Sequence, residues 1–153
     1  MDAARTCDVK ALRHAVEAGA CVTYRNRNGE TAATLLALRN CAEGVAFLAQ
    51  CDASLLTMEN HHGWNPIMWL IANHNLDAVL ELANDHPHIL THKNSIGVDV
   101  FYLLTFFYRD EVSMAKLVKA LRKHNLPLPD NYQSRLRAAC IVPSRVERLA
   151  LRP

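Results

Sequence analysis

Gly29, Gly63 and Gly97 are spaced by 34 residues, and each sits in a related stretch: Asn-Gly-Glu-Thr at 28–31, His-Gly-Trp-Asn at 62–65 and Ile-Gly-Val-Asp at 96–99. A fixed period in the 20–50 residue range marks a stacked-repeat protein, because one unit of that length cannot bury its own apolar face. Such proteins usually work by presenting a surface. Binding therefore leads over catalysis as the first expectation.

Two residues after each glycine stands a residue able to cap a helix: Thr31, Asn65 and Asp99. Their side-chain oxygens can accept from the free N–H groups of a first helical turn. Pro66 follows Asn65 directly, at the helical position where a missing N–H costs nothing. First helices are thus predicted over Ala32–Leu38, Pro66–Ala72 and Val100–Phe107. They are apolar nearly all round, so they must lie between neighbours. Second helices are predicted around Val45 and Leu48, and again around Val79 and Leu82, each pair member repeating after 34 residues. The polar segments Thr23–Asn28, Thr57–His62 and Thr91–Ser95 carry turn chemistry and are read as projecting loops.

Composition narrows the partners. Half of the 153 residues are hydrophobic and the net charge is +2, too balanced to imply a nucleic acid or an anionic membrane. The longest apolar stretch, Val98–Tyr108, contains Asp99 and is too short to span a bilayer. The start of the chain lacks the basic-then-apolar order of a secretory signal. Five cysteines, at 7, 21, 41, 51 and 140, are odd in number and include no Cys-x-x-Cys pair. They are read as reduced, small apolar fillers in a cytoplasmic or nuclear protein.

The run Ala3–Ala20 resembles the second half of an ankyrin repeat, and Gly29-Glu30-Thr31-Ala32 and Gly63-Trp64-Asn65-Pro66-Ile67 resemble that family's Gly-x-Thr-Pro-Leu helix opening. The resemblance covers about residues 3–125. It implies an all-α ankyrin-repeat solenoid: stacked antiparallel helix pairs with projecting loops, and a role in protein–protein binding. Repeats are expected over about 1–27 (partial), 28–61, 62–95 and 96–125, with 126–153 as a C-terminal helical cap. Several family positions are altered. Thr34, Met68 and Tyr102 stand where the usual His would be, and the Gly-Ala pair that closes a repeat survives only at Gly19-Ala20. The third period also stretches: Leu121 is taken as the equivalent of Leu82, which places about five extra residues near Tyr108–Ser113, in a lengthened loop between helices.

In the tail, Asn131–Ile141 is read as a helix. Ser144 and Glu147 have capping-box spacing for a last short one. The arginines at 135, 137, 145, 148 and 152 give this segment a polar face; recruitment of a separate partner is the alternative to a cap.

No phosphate-binding glycine loop, Gly-x-Ser-x-Gly or His-Glu-x-x-His occurs, so neither enzymatic activity, a small-molecule substrate nor a cofactor is expected. His86, His88 and His92 fall in predicted loops and are read as solvated rather than as metal ligands. Trp64, just after a turn glycine, is the leading interaction residue, with packing on the next loop as its alternative. Trp69, mid-helix, is read as core. Of the consecutive aromatics Phe106, Phe107 and Tyr108, at least one must be exposed or covered by another segment. By the family resemblance, the concave contact positions are Glu30, Leu38, Arg39, Trp64, Asn73, Val98, Phe106 and Phe107. The expected function is a non-catalytic adaptor, monomeric or weakly self-associating, that grips a protein with its loop tips and concave helix face. An inhibitor clamping an enzyme such as a kinase is the alternative. Nucleic-acid binding through Arg25, Arg27 and the tail is the third reading, disfavoured by the modest charge.

Overall fold

The computed structural model describes residues 1–152. Ten α-helices succeed one another among the described residues: α1 (Asp2–Thr6), α2 (Val9–Glu17), α3 (Ala32–Leu38), α4 (Ala42–Cys51), α5 (Pro66–Ala72), α6 (Leu76–Asp85), α7 (Val100–Phe107), α8 (Glu111–Lys123), α9 (Tyr132–Ala138) and α10 (Pro143–Ala150). Short 3₁₀ turns at Ala53–Leu56 and Pro87–Leu90 follow α4 and α6. Helices α1, α3, α5 and α7 pack side by side in chain order as one layer; α2, α4, α6 and α8 form the other.

The three long first helices, α3, α5 and α7, begin and end where the caps predict. The side chains of Thr31, Asn65 and Asp99 accept from the N–H groups of Thr34, Met68 and Tyr102 at 3.3, 3.0 and 2.7 Å. All three caps are buried, so each bond satisfies a donor that water cannot reach. Beyond each helix a residue turns the chain through left-handed backbone: Asn40 (φ 57°), His74 (φ 58°) and Arg109 (φ 53°). The second helices then start at a side-chain cap. Asp8, Asn75 and Asp110 accept from Ala11, Ala78 and Ser113 at 3.0, 3.3 and 2.7 Å. Between the two layers, Leu36, Leu48, Leu70, Ile71, Phe101, Leu104 and Leu117 make up much of the closed core.

Cys41 holds the same capping position at the start of α4 but makes no side-chain cap bond. Its sulfur is joined to that of Cys7, in the turn after α1, with the Cα atoms 5.8 Å apart. This corrects the reading of all five cysteines as reduced core fillers. Only Cys41 is buried; Cys21, Cys51 and Cys140 are free and exposed. The N-terminal segment, expected as the second half of a repeat, also contains a shortened first helix, α1, which packs on α3.

The stretched third period resolves differently from expectation. The turn 108–110 is no longer than the turn 73–75; the added residues lie in the helices, α7 having 8 residues against 7 in α5 and α8 having 13 against 10 in α6. Counting from the caps Asn75 and Asp110, Leu117 rather than Leu121 occupies the place of Leu82. The longer α8 is the surface along which α10 lies. There Glu147 accepts from Tyr132 and pairs with Arg122, so it does not close a capping box with Ser144. Helix α10 starts after Val142 with Pro143 in its first turn, and no side chain caps it.

Candidate protein-binding face

The loops before α3, α5 and α7 share one construction, centred on Asn26, Asn60 and Asn94, again spaced by 34. Each asparagine carbonyl oxygen accepts from the N–H two residues on and from the N–H four residues on. The pairs are Asn28 and Glu30, His62 and Trp64, and Ile96 and Val98, at 2.7–3.2 Å. The asparagine backbone N–H donates to the carbonyl of Glu30, Trp64 and Val98 in turn, at 3.0, 2.8 and 2.9 Å. The periodic glycines hold φ near +76°, +75° and +80° inside these turns, a conformation natural to glycine. Glu30, Trp64 and Val98 are thereby fixed in one register on three successive loops.

Neighbouring loops are also bonded to each other. The His61 N–H donates to the Asn28 carbonyl at 3.0 Å, and a Cβ on Gly29 would come within 2.6 Å of the His61 ring. Arg25 donates to the carbonyls of Gly29 and Glu59. Between the second and third loops, the Glu59 carboxylate accepts from the Ser95 N–H at 2.9 Å, and the buried Asn94 amide donates to the Gly63 carbonyl at 2.7 Å. The row of loops is a bonded ledge rather than three independent arms.

On this ledge and the helix ends beside it, the eight residues expected from sequence divide by what holds them. Glu30 is tied into its own loop, accepting from the Asn26 amide at 2.7 Å. Val98 is half-buried against the core. Asn73 is exposed, but its amide donates to the carbonyls of Ala37 and Leu38 at 3.0 and 3.3 Å, joining the end of α3 to that of α5. Trp64 is half-buried with its ring against Trp69, centroids 4.6 Å apart. Trp69 is therefore not closed core as expected: it is itself half-buried, and its indole N–H has no hydrogen-bond partner among the described residues. Leu38 and Arg39 are exposed at the end of α3. Phe106 is 56 % exposed, and Phe107 is half-buried, meeting it edge to face at 5.0 Å.

Two exposed residues of this face escaped the sequence reading. Tyr102, 45 % exposed, lies one turn before Phe106 on the same side of α7. Arg109 follows in the turn after α7. The i, i+4 spacing of Tyr102 and Phe106 is the signal of it in the sequence. Tyr108 is half-buried, and its hydroxyl accepts from the Leu76 N–H at 2.9 Å. Burial pushes this phenol above its ordinary pKa. It anchors the turn from which Arg109 projects.

The arrangement offers apolar and aromatic surface on a rigid frame. Among the described residues no three His, Cys, Asp or Glu side chains gather closely enough to hold a metal ion. His86 and His88 stand edge to face, ring centroids 6.3 Å apart. Among the described residues no helix is long and apolar enough to cross a membrane.

No protein-family model matches the chain. No curated protein matches it either. Among solved structures, it is similar to the crystal structure of an ankyrin repeat domain from Acinetobacter baumannii AYE, with a TM-score of 0.50 and 16 % sequence identity, over 97 % of this chain and 94 % of that one. Paired helices, capped alike and joined through a bonded row of loops, agree with that likeness. The chain has the ankyrin-repeat fold.

Proposed function

We propose that the chain is a non-catalytic binding module that holds a protein partner against its first-helix face and loop row, as an adaptor does. The observation that carries this reading is the open apolar surface on that face: Leu38 is 37 % exposed, Tyr102 45 % and Phe106 56 %. Aromatic side chains on a rigid frame contribute most to protein interfaces, since they bury much area and lose little rotamer freedom on binding. The cross-bonded loops support the same reading, because a preformed surface orders little when a partner arrives. Leu38, Arg39, Trp64 and Phe106 are the proposed contacts, with Phe107 supporting Phe106. Glu30, Asn73 and Val98 frame the face and act chiefly by holding it.

The test is affinity capture with the purified chain beside a Trp64→Ala, Phe106→Ala double variant and an exposed second-helix variant, Glu81→Ala. A partner kept by the wild type and Glu81→Ala but lost by the double variant supports the reading. Equal recovery on all three refutes it.

A further inference from the structure

Along the first-helix layer α5 packs on α3 and α7 packs on α5, whereas α9 meets the start of α7 through side chains, with Tyr132 on the Phe101 ring at 5.8 Å and Arg135 on Phe101 and Asp99. Helix α9 buries just Tyr132 and Leu136, and the rest of the tail is held through α10 on α8. Beyond those contacts the joint opens toward the ends of both helices, leaving a cleft of about 500 Å³ between α7 and α9. That volume is in the range that accepts a compact ligand or a short peptide segment.

One wall is aromatic, from Tyr102 and Phe106; the other carries the methyl groups of Ala138 and Ala139. Two guanidinium groups, of Arg109 and Arg135, border it. Arg135 lies over the Phe101 ring, 5.1 Å from its centroid, and is paired at 3.4 Å with the buried Asp99, whose other oxygen caps α7. Its charge is thus largely answered, and its position fixed. Arg109 makes no side-chain hydrogen bond or ion pair among the described residues. Its backbone is nonetheless held, by its N–H donating to the Leu104 carbonyl at 3.1 Å and by the anchored Tyr108 before it. The cleft combines open aromatic rings, alanine methyl groups and one unanswered positive charge on a held stretch of backbone.

We propose that this cleft receives a short acidic peptide segment of the partner. A large apolar or aromatic side chain of the segment rests on Tyr102 and Phe106, and a neighbouring carboxylate pairs with Arg109. The guanidinium fork suits a carboxylate in two-point contact, while a single free arginine gives no track for a polynucleotide backbone. This inference rests on the reading of the first-helix face as the binding face, and sharpens it to one joint and one chemistry.

A random-sequence peptide display selection on the whole chain tests it, followed by fluorescence anisotropy of the recovered peptides. Variants are Arg109→Glu, Arg109→Lys, Phe106→Ala and Trp64→Ala; residues 106 and 109 are exposed, and thermal melts confirm that each variant folds. The expected result is enrichment of acidic peptides carrying an aromatic or large aliphatic residue. Arg109→Glu and Phe106→Ala should each weaken them about tenfold or more, Arg109→Lys should weaken them less, and added salt should loosen all of them. Enrichment of basic or uncharged peptides, or no enrichment, overturns the proposal. Peptides weakened by Trp64→Ala but untouched by Arg109→Glu overturn the cleft and leave the broader face standing. Peptides indifferent to every variant remove both.

Discussion

The indole rings of Trp64 and Trp69 lie with their centroids 4.6 Å apart, one rising from a loop and the other from the helix behind it. The pair joins the loop row to the first-helix layer, so Trp64 is both a proposed contact and a support. Trp64→Ala is expected to cost about 1–2 kcal/mol of stability through lost stacking and burial. Trp64→Phe is expected to recover much of that. Urea unfolding of the two variants checks this, and partner affinity measured on the more stable Phe variant separates contact from support.

Asn94 and Asn26 play the same part in different surroundings. The Asn94 side chain is buried and bonds to Ile96, Val98 and Gly63, whereas Asn26 bonds to Asn28 and Glu30 half open to water. Removing a buried hub leaves its partners unsatisfied, so Asn94→Ala should cost about 3 kcal/mol and Asn26→Ala clearly less. Chemical denaturation of both variants measures the difference. Equal losses would contradict the role given to burial.

The link between Cys7 and Cys41 closes a loop with a sequence separation of 34. By the chain-entropy argument such a link stabilises by about 4 kcal/mol, which in a domain this size is about 8–16 °C in Tm. Melting with and without a dithiol reductant, beside Cys7→Ser, is the check. The reduced wild type and the variant should melt alike, both below the oxidised chain.

The tail has a pH signature. Glu147 is held below the usual carboxylate range, chiefly by the Tyr132 hydrogen bond and then by Arg122. Its contribution is complete above the ordinary glutamate range and is lost as pH falls through the lowered folded value. Tyr132 is raised above the ordinary phenol value by burial and by Glu147. Its contribution is complete below about pH 10, the unfolded value, and is lost as pH rises toward the folded one. Stability to urea, measured against pH, should thus fall at both extremes, and Tyr132→Phe should reduce both falls.

What could be read in advance was whatever is encoded locally. Thr31, Asn65 and Asp99 cap helices through bonds three residues away, so the bounds of α3, α5 and α7 followed from a few letters each. The asparagine hubs were visible as turn-rich composition, yet their shared bonding depends on the loop geometry around Gly29, Gly63 and Gly97. The Cys7–Cys41 link was hidden by an argument from odd number, which says nothing about a single pair among five. The third period misled because an apolar helix can lengthen without leaving any turn signal; Leu117 and Leu121 are both buried and look alike in the sequence. The open joint at α7 and α9 depends on how far two helices approach, which no local pattern records. Hence Tyr102 and Arg109 were missed while Trp64 and Phe106 were named.

The central claim is that one face of the stack does the binding, and hydrogen–deuterium exchange on the chain with and without its captured partner tests it most directly. The account predicts added protection in the loop row and at the ends of α3, α5 and α7, around Leu38, Trp64 and Phe106. It predicts little change over the outward sides of α4, α6 and α8. Protection confined to those second helices, with the loop row unchanged, would contradict it.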